Sequence, residues 1–122
     1  MIADQALAAQ PSGALELDGA GVTELLRAGG PALVEVCAPW CVYGLLLRAR
    51  TNELARKLSG RIAVGRVDVQ RWPYIADLLR IRRIPALVFL RGRRVIHRWY
   101  GADVDVSFVE TIALRRAVEE RR

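Results

Sequence analysis

Two strand-like segments near the carboxyl end of the chain are separated by only four residues. Residues 86–90 and 95–100 are rich in β-branched and aromatic side chains, and Arg91-Gly-Arg-Arg94 lies between them. A connection of this length can only reverse the chain, so the two strands should pair antiparallel as a hairpin. Any fold for this chain must therefore include an antiparallel pair of strands after Pro85.

Before Pro85 the chain alternates strands with helices. The apolar run at 32–37 is short enough for a buried strand, and 45–58 has leucines at helical spacing. Because that helix leads into a further strand at 61–69, the two strands should be parallel with a right-handed crossover. The other predicted elements are a strand at 14–17 and helices at 22–28, 72–79 and 104–116. Together the segments predict an α/β fold, with a mixed central β-sheet and helices on both faces.

The length of 122 residues is enough for one well-buried domain. Residues 1–13 are small and polar, so we expect a flexible amino-terminal arm there and a single domain over 14–122. No apolar run approaches the roughly 20 residues that a membrane span needs. The amino terminus also lacks the basic segment of a secretory signal, so we expect a cytoplasmic protein with no membrane partner.

The basic residues raise the question of nucleic-acid binding. The net charge is +6, with 18 arginines and one lysine against 13 acidic residues. These arginines are scattered over several predicted elements, which is typical of a solvated surface. We therefore expect no nucleic-acid partner.

The two cysteines, Cys37 and Cys41, are too close in sequence to close a large loop. No cluster of further cysteines or histidines accompanies them, and the lone His97 is expected to be structural, so neither a metal nor a cofactor is predicted. Cys41 lies where a buried strand gives way to a long helix. Backbone N–H groups and the helix dipole stabilise a thiolate at such a position, although an unreactive, partly covered cysteine is the alternative.

Four short segments occur in a characteristic order along the chain: Ala38-Pro-Trp-Cys41, Arg66-Val-Asp-Val69, Arg83-Ile-Pro85 and Gly101-Ala102. In this order they resemble the thioredoxin family and the related catalytic domains of protein disulfide isomerase. The resemblance extends over residues 15–117 and implies a thioredoxin fold with a carboxyl-terminal antiparallel hairpin. It also implies thiol–disulfide exchange without a cofactor.

This resemblance assigns roles to individual residues. Cys41 takes the place of the attacking cysteine, and Trp40 flanks it on the docking surface. Pro85 would be a cis-proline facing the thiol, which leaves the backbone of Ile84 free to pair with an extended substrate segment. The alternative is a trans-proline that begins an edge strand. Gly101 would close the substrate groove, in which Tyr43 and Gly44 are also expected.

Gly44 is where the sequence departs from the family, whose enzymes keep a second cysteine at this position. Without it, a mixed disulfide on Cys41 lacks the usual intramolecular release. Cys37 shares a strand face with Glu35 and is a candidate substitute, either bonded to Cys41 or simply buried as a small apolar side chain. We therefore expect a monothiol-type or impaired oxidoreductase.

Glu35 matches the buried acid that assists proton transfer in the family. Arg66 stands at the corresponding basic position on the neighbouring strand, and a fixed positive charge there would favour the ionised carboxylate. The sequence leaves open whether Glu35 acts as a general base or in a structural ion pair.

Two functions remain open at this stage. The first is thiol–disulfide chemistry by the single nucleophile Cys41, with a protein disulfide or a low-molecular-weight thiol as partner. The second is a non-catalytic binding module or assembly chaperone that docks a protein at Trp40, Ile84 and Pro85. The apolar residues around Trp40, or an intermolecular Cys41 disulfide, would also support a homodimer.

Overall fold

The structure is a computed structural model that describes residues 13–119. The predicted flexible arm therefore lies, except for Gly13, outside the described residues. The elements are β1 (Leu15–Leu17), α1 (Gly19–Ala28), β2 (Ala32–Cys37), α2 (Gly44–Lys57), β3 (Ala63–Asp68), α3 (Tyr74–Leu78), β4 (Ala86–Arg91), β5 (Arg94–Tyr100) and α4 (Val106–Glu119).

The five strands form one mixed sheet in the order β1-β3-β2-β4-β5. Strands β1, β3 and β2 are parallel, whereas β4 runs antiparallel to β2 and β5 runs antiparallel to β4. This arrangement confirms the α/β prediction and the carboxyl-terminal hairpin. The hairpin turns through Gly92 and Arg93, whose φ angles of 63° and 69° match the right-handed twist of the flanking strands.

Alternation along the central strand divides the core between the two faces of the sheet. Val34 and Val36 pack on the face covered by α1 and α3, whereas Leu33 packs on the face covered by α2 and α4. Glu35 and Cys37 have the same strand parity as Leu33, so they point toward α2. The predicted shared face of these two residues is thereby confirmed.

Side-chain caps explain why two helices begin away from their predicted first residues. Helix α1 begins at Gly19 rather than 22, because the Asp18 carboxylate accepts a 2.7 Å hydrogen bond from the Gly21 backbone N–H. Helix α4 begins at Val106 rather than 104, where the Asp105 carboxylate accepts from the Phe108 N–H at 3.0 Å. Both caps follow the ordinary N-cap preference for aspartate.

No helix among residues 13–119 is long and apolar enough to cross a membrane.

Candidate active site

A tight turn carries Cys41 between the central strand and the helix that follows. The Cys41 N–H donates to the Ala38 carbonyl at 3.1 Å, and the Gly44 N–H donates to the Cys41 carbonyl at 3.0 Å. Both bonds span three residues, as in a tight turn. A bond that spans four residues, as in an α-helix, joins the Leu47 N–H to the Tyr43 carbonyl at the start of α2. Cys41 therefore does not open the helix itself: α2 begins at Gly44, within one residue of the predicted 45, and the thiol lies one tight turn earlier.

The sulfur of Cys37 fills the space beside the α-carbon of Gly44. A Cβ atom built on Gly44 would lie 2.5 Å from Cys37 Sγ, closer than real Cβ contacts come, and 3.7 Å from Cys41 Cβ. Gly44 and Cys37 therefore depend on each other, since any side chain at 44 would have to displace the sulfur. The side chains of both cysteines consequently converge on Gly44.

The three predicted catalytic residues line one cavity of about 180 Å³. Glu35 and Cys37 reach it from β2, and Cys41 reaches it from the turn. Both cysteines are free thiols, Cys37 buried and Cys41 partly exposed. Gly44, expected in the substrate groove, lies against this cavity instead.

The environment of Cys37 favours the protonated thiol. Burial, together with the neighbouring Cys41 thiol, raises the pKa of Cys37 to about 12. The Cys37 thiol donates a long 3.6 Å hydrogen bond to the Ala38 carbonyl. Cys37 is 8% exposed, so an external disulfide meets Cys41 first.

Glu35 forms the ion pair that the sequence suggested. Arg66 Nη2 lies 3.4 Å from the Glu35 carboxylate, and both side chains are buried. Burial nevertheless raises the pKa of Glu35, because loss of solvation outweighs the lowering by Arg66 and by a hydrogen bond from Thr51. Arg66 lowers the pKa of Glu35 as expected, but burial has the larger effect and the net shift is upward. The Glu35 carboxylate therefore binds a proton more tightly than an exposed glutamate does.

Arg66 has other partners besides Glu35. Its Nη2 also donates to Asn52 Oδ1 at 2.9 Å and to the Arg48 carbonyl at 3.3 Å, and Nη1 lies 3.3 Å from the exposed Glu16 carboxylate. Among the described residues its buried Nε has no partner. Because the Arg66 guanidinium interacts with several groups at once, its electrostatic interaction with each single carboxylate is weaker.

A second cavity of about 560 Å³ contains most of the predicted substrate-binding residues. Tyr43, Ile84, Pro85 and Gly101 line it. The Ile84–Pro85 peptide is cis, as the resemblance implied, and the Gly101 N–H donates to the Pro85 carbonyl at 2.9 Å. Within the described chain, the Ile84 N–H and C=O make no backbone hydrogen bond, so both groups are available to a bound strand.

Trp40 belongs to neither cavity lining and is 66% exposed on the turn. Sequence reasoning missed Leu46 and Arg50, which line the 560 Å³ cavity beside Tyr43. Their spacing of three and seven residues from Tyr43 places them on one helix face, and this signal was available in the sequence.

The arginines are less scattered in space than along the chain. Arg80, Arg82, Arg83 and Arg98 line a cleft of about 930 Å³ between the segment before Pro85 and β5. His97 lines the same cleft, and its ring packs against Trp99 with centroids 4.2 Å apart. Cys41 lines a different cavity, so no contact in the described structure connects His97 with the thiol site.

Solved structures similar to this one include thioredoxins. Thioredoxin F from spinach chloroplast superposes with a TM-score of 0.73 at 22% identity, covering 88% of this chain and 97% of that one. A mutant thioredoxin from Halobacterium salinarum gives a TM-score of 0.74 at 20% identity, covering 88% and 93%. The fold is therefore the thioredoxin fold.

Sequence comparison identifies the family. The family model for Thioredoxin matches residues 18–113. Thioredoxin 1 of Nostoc sp. is 29% identical over 89 residues, covering 73% of this chain and 83% of that protein. The M-type chloroplastic thioredoxin of Spinacia oleracea is 36% identical over 88 residues, covering 72% of this chain and 49% of that protein. The chain belongs to the thioredoxin family and is a thioredoxin-like protein of the thiol–disulfide redox class.

Proposed function

We propose that the protein carries out thiol–disulfide exchange with Cys41 as its single attacking cysteine. The observation that carries this proposal is the contrast between the two thiols, since Cys41 is partly exposed and Cys37 is buried. The Cys41 thiolate attacks one sulfur of a substrate disulfide, that S–S bond breaks, and the departing thiolate takes up a proton. The product is a mixed disulfide on Cys41, which a second thiol then cleaves.

The 560 Å³ cavity supports a protein disulfide as substrate. An extended segment can pair with the free backbone groups of Ile84 and place its cystine beside the turn that carries Cys41. Trp40 and Tyr43 provide exposed aromatic surface on that turn. A low-molecular-weight disulfide needs only access to Cys41 and is the smaller alternative substrate.

We place the activity in the cytoplasm, where thiols stay reduced.

Mass spectrometry after brief exposure to glutathione disulfide tests the attacking role. We expect Cys37→Ser to acquire one glutathionyl group and Cys41→Ser to acquire none, because only Cys41 is accessible. Cys37→Ser is the matched control, as it makes the same substitution at the buried thiol. Equal labelling of the two variants, or no labelling of either, would contradict the proposal.

A second candidate function is a non-catalytic protein-binding module. The observation in its favour is a run of exposed apolar side chains around the turn, which also offers a surface for a homodimer. Capture of a natural partner by Cys41→Ser as efficiently as by the wild type would favour this function, whereas loss of capture would favour covalent exchange. These side chains are Trp40 (66% exposed), Val42 (77%), Tyr43 (66%), Leu45 (70%) and Leu46 (58%).

A further inference from the structure

We infer that Cys37 is the resolving cysteine of this site, and that Gly44 is the residue that makes room for its sulfur. The inference rests on the proposed attack by Cys41 and concerns the step that follows it. The chain has two cysteines in all, so Cys37 is its only internal thiol that can release a mixed disulfide from Cys41.

The packing around Gly44 brings the side chains of the two cysteines close together. A Cβ at 44 would lie within 2.5 Å of Cys37 Sγ and 3.7 Å from Cys41 Cβ. Cys37 Cβ also lies 3.7 Å from that point, so the side chains of both cysteines border the space that a side chain at 44 would fill. Cys37 Sγ occupies this region from the strand side, and the absence of a Cβ on Gly44 leaves room for it beside Cys41.

The two cysteines also share a cavity with Glu35. Glu35, Cys37 and Cys41 all line the same space of about 180 Å³, so both thiols border the volume in which the exchange would take place. Cys37 is buried, which prevents it from competing for external disulfides but not from attacking a sulfur that is already in the cavity.

The resolving step balances without a cofactor. The Cys37 sulfur attacks the Cys41 sulfur of the mixed disulfide, the Cys41–substrate S–S bond breaks, and a Cys37–Cys41 bond forms. The Cys37 proton passes to Glu35 on the same strand face and from there to the departing substrate sulfur. The substrate disulfide is reduced to two thiols and the protein dithiol is oxidised, so an external dithiol reductant must regenerate the protein.

The protonation of Cys37 is consistent with this order of events. Its pKa of about 12 includes a contribution from the Cys41 thiol. That contribution disappears when the Cys41 sulfur is bonded to substrate, so Cys37 loses its proton more readily after the first step than before it. The raised pKa of Glu35 suits it to receive that proton.

Three proteins test the inference after exposure to glutathione disulfide: the wild type, Cys37→Ala, and Cys37→Ala with Gly44→Cys. The adduct on the wild type should be transient and give way to a Cys37–Cys41 disulfide, mapped by peptide mass spectrometry without reduction. The adduct on Cys37→Ala should persist until an external thiol is added. In the double variant, the new sulfur at 44 should restore release, because its Cβ is at disulfide distance from Cys41 and no longer meets a sulfur at 37.

The outcomes separate this inference from the proposed function. A wild-type adduct that persists as long as that of Cys37→Ala would overturn the resolving role and leave the attack by Cys41 intact. No adduct on any of the three proteins would overturn the proposed function itself. The wild-type peptide map decides the question without any substitution, so it remains valid even if Cys37→Ala folds poorly.

Discussion

At the scale of single residues, Gly44 and Cys37 form one packing unit. Gly44→Ala places a methyl group 2.5 Å from a buried sulfur, and overpacking of this kind costs about 1–3 kcal/mol of unfolding free energy. In a Cys37→Ala background the sulfur is gone, so the same change should be neutral or favourable through the better helix propensity of alanine at the start of α2.

A double-mutant cycle by urea denaturation measures this coupling. The four proteins are the wild type, the two single variants and the double variant. We expect an interaction free energy of about 1–3 kcal/mol between positions 37 and 44. An equal cost of Gly44→Ala in both backgrounds would show that the two residues do not share this space.

At the scale of elements, the buried Glu35–Arg66 pair connects β2 to β3. Burial raises the pKa of Glu35 above its ordinary value of 4.5, so the folded state binds this proton more tightly than the unfolded chain does. The contribution of Glu35 to stability is therefore complete below pH 4.5 and is lost as the pH rises through the raised pKa. Relative to Glu35→Gln, the wild type should lose unfolding free energy as the pH increases from 4.5.

Chemical denaturation of both proteins at a series of pH values checks this direction. Glu16→Gln is the matched control, because Glu16 contacts the same Arg66 but is 67% exposed, and such pairs contribute at most about 1 kcal/mol. A wild type that gains stability over Glu35→Gln with rising pH would show instead that the attraction of Arg66 outweighs burial.

At the scale of the whole molecule, the two cores lie on opposite faces of one sheet. Leu25 of α1 is buried on one face and Leu54 of α2 on the other. Each substitution by alanine should lower the unfolding free energy by about 2–5 kcal/mol. Because the two residues belong to separate clusters of buried side chains, their effects should add to within about 0.5 kcal/mol.

Denaturation followed by circular dichroism and by tryptophan fluorescence tests whether both cores unfold together. We expect coincident transitions for each variant. Leu45→Ala, at a position 70% exposed in the same α2 helix, is the control and should change stability by less than about 0.5 kcal/mol. Separate transitions for the two faces would contradict a single cooperative unit.

Much of the fold could be predicted because it depends on short-range patterns. The alternation along 32–37 reports which side chains face which layer, and the four-residue link at 91–94 forces a hairpin. Element ends were less predictable. Asp18 and Asp105 extend or delay their helices through caps.

The candidate site shows the same division. The sequence alone indicated the thiol at 41, the proline at 85 and the missing cysteine at 44, since each is a matter of residue type and order. Only the tertiary structure decided that Cys37 Sγ lies against Gly44 and that burial outweighs Arg66 at Glu35. The Cys37–Gly44 contact depends on how the turn folds back over the strand, and the pKa of Glu35 depends on how much solvent is excluded around it. The physical reason is that tertiary packing determines both quantities, whereas the local spacing of residues determines neither.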